Sequence, residues 1–246
     1  MPRIICLVLL VACLWPIAVE AGPPFLTDDP DPVELGHYEA IPFYSLDRAH
    51  DGSVIAGPGV DFNYGIFPGA HLNIETGFVH ALPAAGMYAF GFGDTRVALK
   101  WRFLEESADR PELAIYPAVI IPTGSARRGL GNGQAAYSLP LWIEKNWGAW
   151  TSYGGAGYTL NRAAGARDDF YGGWLLQRSF GDALSLGAEL FAQGADTQTD
   201  SGYTLLNLGG SVAFDQNVSL IFSAGHSFAG ASHAVGYLGL YCTWGP

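Results

Sequence analysis

The chain has 246 residues, 49% hydrophobic and only 14% charged, with 33 glycines and a formal net charge of −11. So apolar a composition excludes a disordered chain. An excess of 23 Asp plus Glu over 12 Lys plus Arg excludes a basic nucleic-acid-binding surface, so no nucleic-acid partner is expected.

The first element is a targeting signal. Residues 1–21 read as a signal peptide: Arg3 gives a short basic start, Ile4 to Val19 an apolar run broken at Pro16, and Val19-Glu20-Ala21 a small-residue site, so cleavage is expected after Ala21. About 16 apolar residues interrupted by proline are short for a membrane helix. Leu10-Val11-Ala12-Cys13 has the residue types of a lipid-attachment box, an alternative that stays open although the apolar stretch continues past Cys13. Cleavage removes Cys6 and Cys13 and leaves Cys242 alone, so no intrachain disulfide can form in the mature chain. Residues 22–36 carry Asp28, Asp29 and Asp31 among Pro30 and Pro32, and read as an extended periplasmic leader rather than a calcium loop.

From residue 37 to 246 the pattern is all-β. Segments of about ten residues alternate in polarity between Gly, Asn, Asp and Pro clusters. The expected strands are 37–47, 53–65, 70–80, 88–103, 112–122, 134–145, 149–161, 169–180, 183–194, 201–214, 217–228 and 233–244. Gly91 to Phe103 shows the chemistry best. Thr95, Val97, Leu99, Trp101 and Phe103 share one face; Asp94, Arg96, Ala98, Lys100 and Arg102 share the other. About twelve strands, an even number, suit an antiparallel up-and-down transmembrane β-barrel in the bacterial outer membrane.

Connections and aromatics agree with that reading. Phe67-Pro68-Gly69, Asn146-Trp147-Gly148, Gly181-Asp182 and Asp215-Gln216 are tight turns on one side, with Glu105 to Pro111 the longer exception, and the alternate connections are mostly longer. Phe67, Trp101, Phe103, Trp147, Trp150, Phe180, Phe214 and Trp244 fall at the turn side, where rings that favour the lipid–water interface would form a periplasmic girdle. Leu238, Leu240, Cys242 and Trp244 give the final strand an apolar face.

The opposite phase supplies lumen-facing candidates for solute selectivity: Asp61, His71, Glu75, Asp94, Arg96, Lys100, Arg102, Trp142, Glu144 and Glu189. Asn63, Asn73, Thr151, Tyr153, Ser185 and Gln193 join them. Glu75 is expected to pair with Arg96 or Lys100 on the next strand. A wet lumen carries such charges either as an open polar pore or as a plug of paired groups, and alternation does not choose. No catalytic, cofactor or metal site is expected. His71 and Glu75 lie about 13 Å apart along one strand, too far to share a metal, and His226-Ser227 are strand neighbours pointing to opposite faces.

Several stretches together resemble the family of outer-membrane transporters named for the MetA pathway of phenol degradation. They are Pro24-Phe25-Leu26-Thr27-Asp28-Asp29-Pro30, Gly91-Phe92-Gly93-Asp94-Thr95 leading to Lys100-Trp101-Arg102-Phe103, Pro122-Thr123-Gly124, Leu139-Pro140-Leu141-Trp142, and Tyr153-Gly154-Gly155-Ala156-Gly157-Tyr158. The resemblance implies an outer-membrane barrel passing aromatic or other hydrophobic compounds, without catalytic residues. The expected function is therefore passive passage of small molecules across the outer membrane, with lipid and a small solute as partners. The alternatives are a closed barrel with ligand- or partner-binding loops, or a membrane-embedded lipid hydrolase.

Overall fold

The computed structural model describes residues 23–199 and 201–246; the expected signal peptide, its expected cleavage site and the Cys13 box lie outside them. Alternating polarity becomes fourteen strands. The first seven are β1 (Tyr38–Ala49), β2 (Gly52–Phe67), β3 (Ala70–Pro83), β4 (Ala89–Phe92), β5 (Thr95–Leu104), β6 (Glu112–Ile115) and β7 (Ala118–Ile121). There follow β8 (Ala136–Trp147), β9 (Trp150–Asn161), β10 (Asp169–Phe180), β11 (Leu184–Gln193), β12 (Tyr203–Ala213), β13 (Val218–Gly230) and β14 (Ala234–Trp244).

These strands make twelve staves. β4 and β5 are halves of one stave against β3, and β6 and β7 halves of another between β5 and β8. Continuous strands were expected over 88–103 and 112–122. The first breaks at Gly93-Asp94, the second at Tyr116-Pro117, where proline has no N–H to give. The ladder carries across both breaks, through Gly93 N to Gly77 O at 2.9 Å and Leu99 N to Pro117 O at 3.1 Å. Neighbours are antiparallel throughout, and β1 pairs with β14 from Tyr38↔Trp244 to Arg48↔Ala234, which closes the barrel.

Burial is inverted relative to a soluble protein. Leu141, Leu176, Leu190, Leu208 and Leu238 are 47–56% exposed, whereas Asn73, Gln177, Glu189 and Asn207 are 0–4% exposed. Exposed leucine outside and buried amides and carboxylates inside fit hydrocarbon around the sheet and a polar interior. One end of the barrel has short turns, with Gly69, Gly148 and Gly181 at positive φ. The longer connection 105–111 is held by Lys145, whose Nζ lies 2.7 Å from Glu106 Oε1, and by the Asn146 amide on Oε2 at 2.9 Å. Partial burial raises the Glu106 carboxyl's pKa, but these bonds outweigh it and leave it below the ordinary value. All eight expected girdle aromatics are exposed at this turn end.

At the closing seam Tyr38 stacks on Tyr64 of β2 at 4.7 Å and on Trp244 of β14 at 5.7 Å. Two aromatic pairs contribute roughly 1–3 kcal/mol beyond area burial. Tyr38→Ala is therefore expected to lower the unfolding free energy of the refolded barrel in urea by an amount in that range; an unchanged unfolding curve would mean that the seam is held by its ladder alone.

Candidate functional site: the barrel lumen

The leader passes through the barrel. Phe25, at 9% exposure, clusters with the inward Tyr153 and Leu175, and Thr27 and Asp29 are fully buried. Ser223 Oγ of β13 donates to Pro24 O at 2.6 Å. Glu189 of β11 accepts Leu26 N at 3.2 Å and Thr27 N at 2.5 Å, with Asn207 Nδ2 of β12 at 2.9 Å. Across the lumen, Lys100 Nζ lies 3.0 Å from Asp28 and 3.2 Å from Asp29. Arg102 binds Asp31 and also Glu112, the latter at 3.0 Å. His71 Nδ1 accepts Val33 N at 2.9 Å, which leaves its proton on Nε2. Residues 22–36 were expected as an extended segment on the periplasmic side; from Pro23 to Val33 the contacts lie on the inner wall instead. Their aspartates bind the wall's cations, a complementarity that strand alternation does not reveal.

The leader leaves beside β2. Gly36 N donates to Gly65 O at 2.9 Å, and a Cβ on Gly65 would fall 1.8 Å from Glu34 O, so this crossing requires glycine.

The wall residues divide into those that hold the leader and those that face open space. Lys100, Arg102, His71 and Glu189 hold it. Asp61 accepts the Asn63 and Asn73 amides at 3.1 and 2.5 Å. The expected pairing of Glu75 with Arg96 holds as an attraction between charges and not as a direct ion pair. Glu75 lies opposite Arg96 in register, but Arg96 Nη1 donates to Asn73 Oδ1 at 2.6 Å and its guanidinium sits 4.5 Å over the Tyr116 ring, while Lys100 is taken by the leader. Trp142 is 2% exposed and packs with Ala98, Tyr116 and Ala118. Glu144 accepts the Asn146 amide at 2.9 Å near the turn end.

Asp94 has a different task. At the β4–β5 break its carboxylate accepts Gly124 N at 2.9 Å and Asn132 N at 2.6 Å, tethering loop 122–135. That loop folds inward: Leu130, 3% exposed, packs on Val79, Ala81 and Ala89 of the inner wall.

Beside the leader remains a cavity of about 830 Å³. It runs from the turns around Asp182 and Asp215 to Glu75, Arg96 and Tyr171 deep in the lumen. Phe43, Tyr116 and Tyr237 line it as well, and Phe43 stacks on Tyr237 at 5.5 Å. Sequence reading named none of these three as site residues. Tyr237 carried a signal, being in the polar phase of the last strand; Tyr116 carried only its place before Pro117.

Glu189 grips the leader by its backbone. Glu189→Ala would leave two leader amides and the Asn207 amide without their acceptor, at about 1–3 kcal/mol for each buried orphan. The expected outcome is faster trimming of the leader by proteinase K, read by mass spectrometry, with barrel fragments unchanged; equal trimming would show that the grip lies elsewhere.

Comparison with known proteins agrees with this architecture. An outer membrane channel from Pseudomonas putida F1 superposes with a TM-score of 0.66 at 15% identity, covering 88% of this chain and 98% of its own. The KdgM porin, solved in complex with disordered oligogalacturonate, gives 0.55 at 14% identity over 82% and 98%. The NanC porin gives 0.58 at 5% identity over 83% and 98%. At such identities the likeness is one of fold. No curated protein matches the chain in sequence. The family model for the MetA-pathway of phenol degradation matches residues 33–241, more than four-fifths of the chain, and the protein belongs to that family.

Proposed function

We propose that the protein is an outer-membrane channel through which small molecules, aromatic and other hydrophobic compounds among them, diffuse beside the leader without cofactor or energy input. The observation that carries this reading is the cavity, which joins a mouth at the turn end to an aromatic and charged interior. Channels and porins among the structural neighbours support it. In this reading the turn end faces the periplasm and loop 122–135 narrows the other mouth. Against the hydrolase alternative, His226 and Ser227 do not form a dyad: His226 Nδ1 contacts the Ser227 carbonyl at 2.7 Å, and Ser227 Oγ accepts the His233 backbone N–H at 2.9 Å.

Charge on the cavity wall sets the ion preference. Seven carboxylates line it, from Asp28 and Asp31 of the leader, Glu39, Asp61 and Glu75 of the wall, and Asp182 and Asp215 of the turns, against Arg96 and Lys100. Asp28 is paired with Lys100 and Asp31 with Arg102, which leaves five carboxylates, Glu39, Asp61, Glu75, Asp182 and Asp215, against Arg96. A narrow lumen with this excess concentrates cations.

In planar bilayers the refolded mature protein is expected to give small discrete current steps with a cation-selective reversal potential under a salt gradient, and Glu75→Gln to reduce that selectivity. Silence from folded protein would remove the channel reading. Lys100→Met, which frees Asp28 and Asp29 from their partner, is expected to raise conductance or add gating noise as the leader loosens; an identical current would place the rate-limiting constriction at loop 122–135.

A further inference from the structure

The outer wall carries one arrangement that the channel reading leaves unused. On β10 the outward phase runs Phe170, Gly172, Trp174, Leu176, Arg178 and Phe180. Arginine on a lipid-facing strand is costly at the bilayer midplane and cheap near the interface. Arg178 lies two residues from the turn end, its guanidinium 5.3 Å over the Trp150 ring and 5.0 Å over the Phe180 ring. Among the described residues no carboxylate forms an ion pair with it, and Asp182 of the adjacent turn lines the lumen cavity. The two rings hold the cation at headgroup level and leave its donors without a counter-ion.

Above Arg178 the same face continues as a track. Trp174 Nε1 donates to Ser152 Oγ at 2.8 Å, and a Cβ on Gly154 would come within 2.5 Å of the Trp174 ring, so the indole lies flat against the wall. Farther on, Ala156, Phe170, Gly172, Ala192 and Thr204 help line a second cavity of about 550 Å³. From Arg178 to Gly172 is six residues, about 20 Å along the strand, close to the length of an extended fatty acyl chain.

We propose that the β9–β11 wall holds a phospholipid of the turn-side leaflet, its phosphate on Arg178 between Trp150 and Phe180 and one acyl chain along Trp174 to the trough at Gly172. Arginine's planar fork matches phosphate oxygens, and the rest of the outward phase on this strand is apolar. The site assumes only that the barrel lies in a bilayer, so it stands whether or not the lumen conducts.

The test is native mass spectrometry of the mature protein in dodecyl maltoside, titrated with phosphatidylglycerol, with diacylglycerol of the same chains, or with inorganic phosphate. Phosphatidylglycerol is expected to fill one site first. Diacylglycerol is expected to bind about tenfold more weakly, and Arg178→Gln to weaken phosphatidylglycerol binding by a similar factor. Arg48→Gln, which alters an exposed cation at the other end of the barrel, is expected to change nothing. The proposal is overturned if diacylglycerol binds equally well, if Arg178→Gln is without effect, or if Arg48→Gln weakens binding as much. It also fails if inorganic phosphate displaces the lipid at equal concentration, which would mean that the acyl track contributes nothing. Arg178 is exposed, and heat-modifiable gel mobility verifies that each variant is folded before titration.

Discussion

Hydrocarbon offers no hydrogen bonds, so every peptide group placed in it must find its partner within the chain. For a sheet this demand has one solution, closure without an edge. The β1–β14 ladder is where the protein meets it, joining the first strand of the barrel to the last. The outward leucines, the inward polar groups and the short turns at one end follow from that closed wall. Closure is also what makes a small lumen, and a small lumen makes each charge inside it consequential.

The interior resolves those charges by importing partners. Lys100 and Arg102 stand on one strand face, Arg102 with Glu112 beside it, and the leader brings Asp28, Asp29 and Asp31 to them. Opposite, Glu189 supplies the acceptor that the leader's bent backbone needs. Buried ion pairs of this kind specify position more reliably than they add stability. Here they fix which part of the cross-section is filled and which is left as cavity. The open side keeps Asp61, Glu75 and the stacked Phe43 and Tyr237, a wall both acidic and aromatic.

Much of the fold was legible because period-two alternation is a property of each strand alone. Leu72, Asn73 and Ile74 declare an outside, an inside and an outside without any other part of the chain. Twelve staves, their approximate bounds and the turn-side aromatics could all be read this way. The breaks at Gly93-Asp94 and Tyr116-Pro117 were not foreseen, because hydrogen bonds across them come from neighbouring strands. The lumen was legible as a roll of inward residues and illegible as a network. Glu75 and Arg96 were correctly placed opposite each other, yet Asn73 and Tyr116 take the guanidinium. The leader's place escaped entirely, since Asp28 to Asp31 have no period and their partners lie about seventy residues away.

The separation between leader and wall also sets an order of assembly. Pro24 is held by Ser223, 199 residues further along, and Leu26 by Glu189, 163 residues further along. Lys100, Arg102 and His71 of the early strands are in place to take Asp28 to Val33, but the residues before them cannot be held until the last third of the barrel has arrived. Phe25, which packs on Tyr153 and Leu175, is enclosed late, whereas the three aspartates meet their cations on the first half of the barrel. The leader is thus fastened across the barrel, its aspartates to strands made early and its first residues to strands made late.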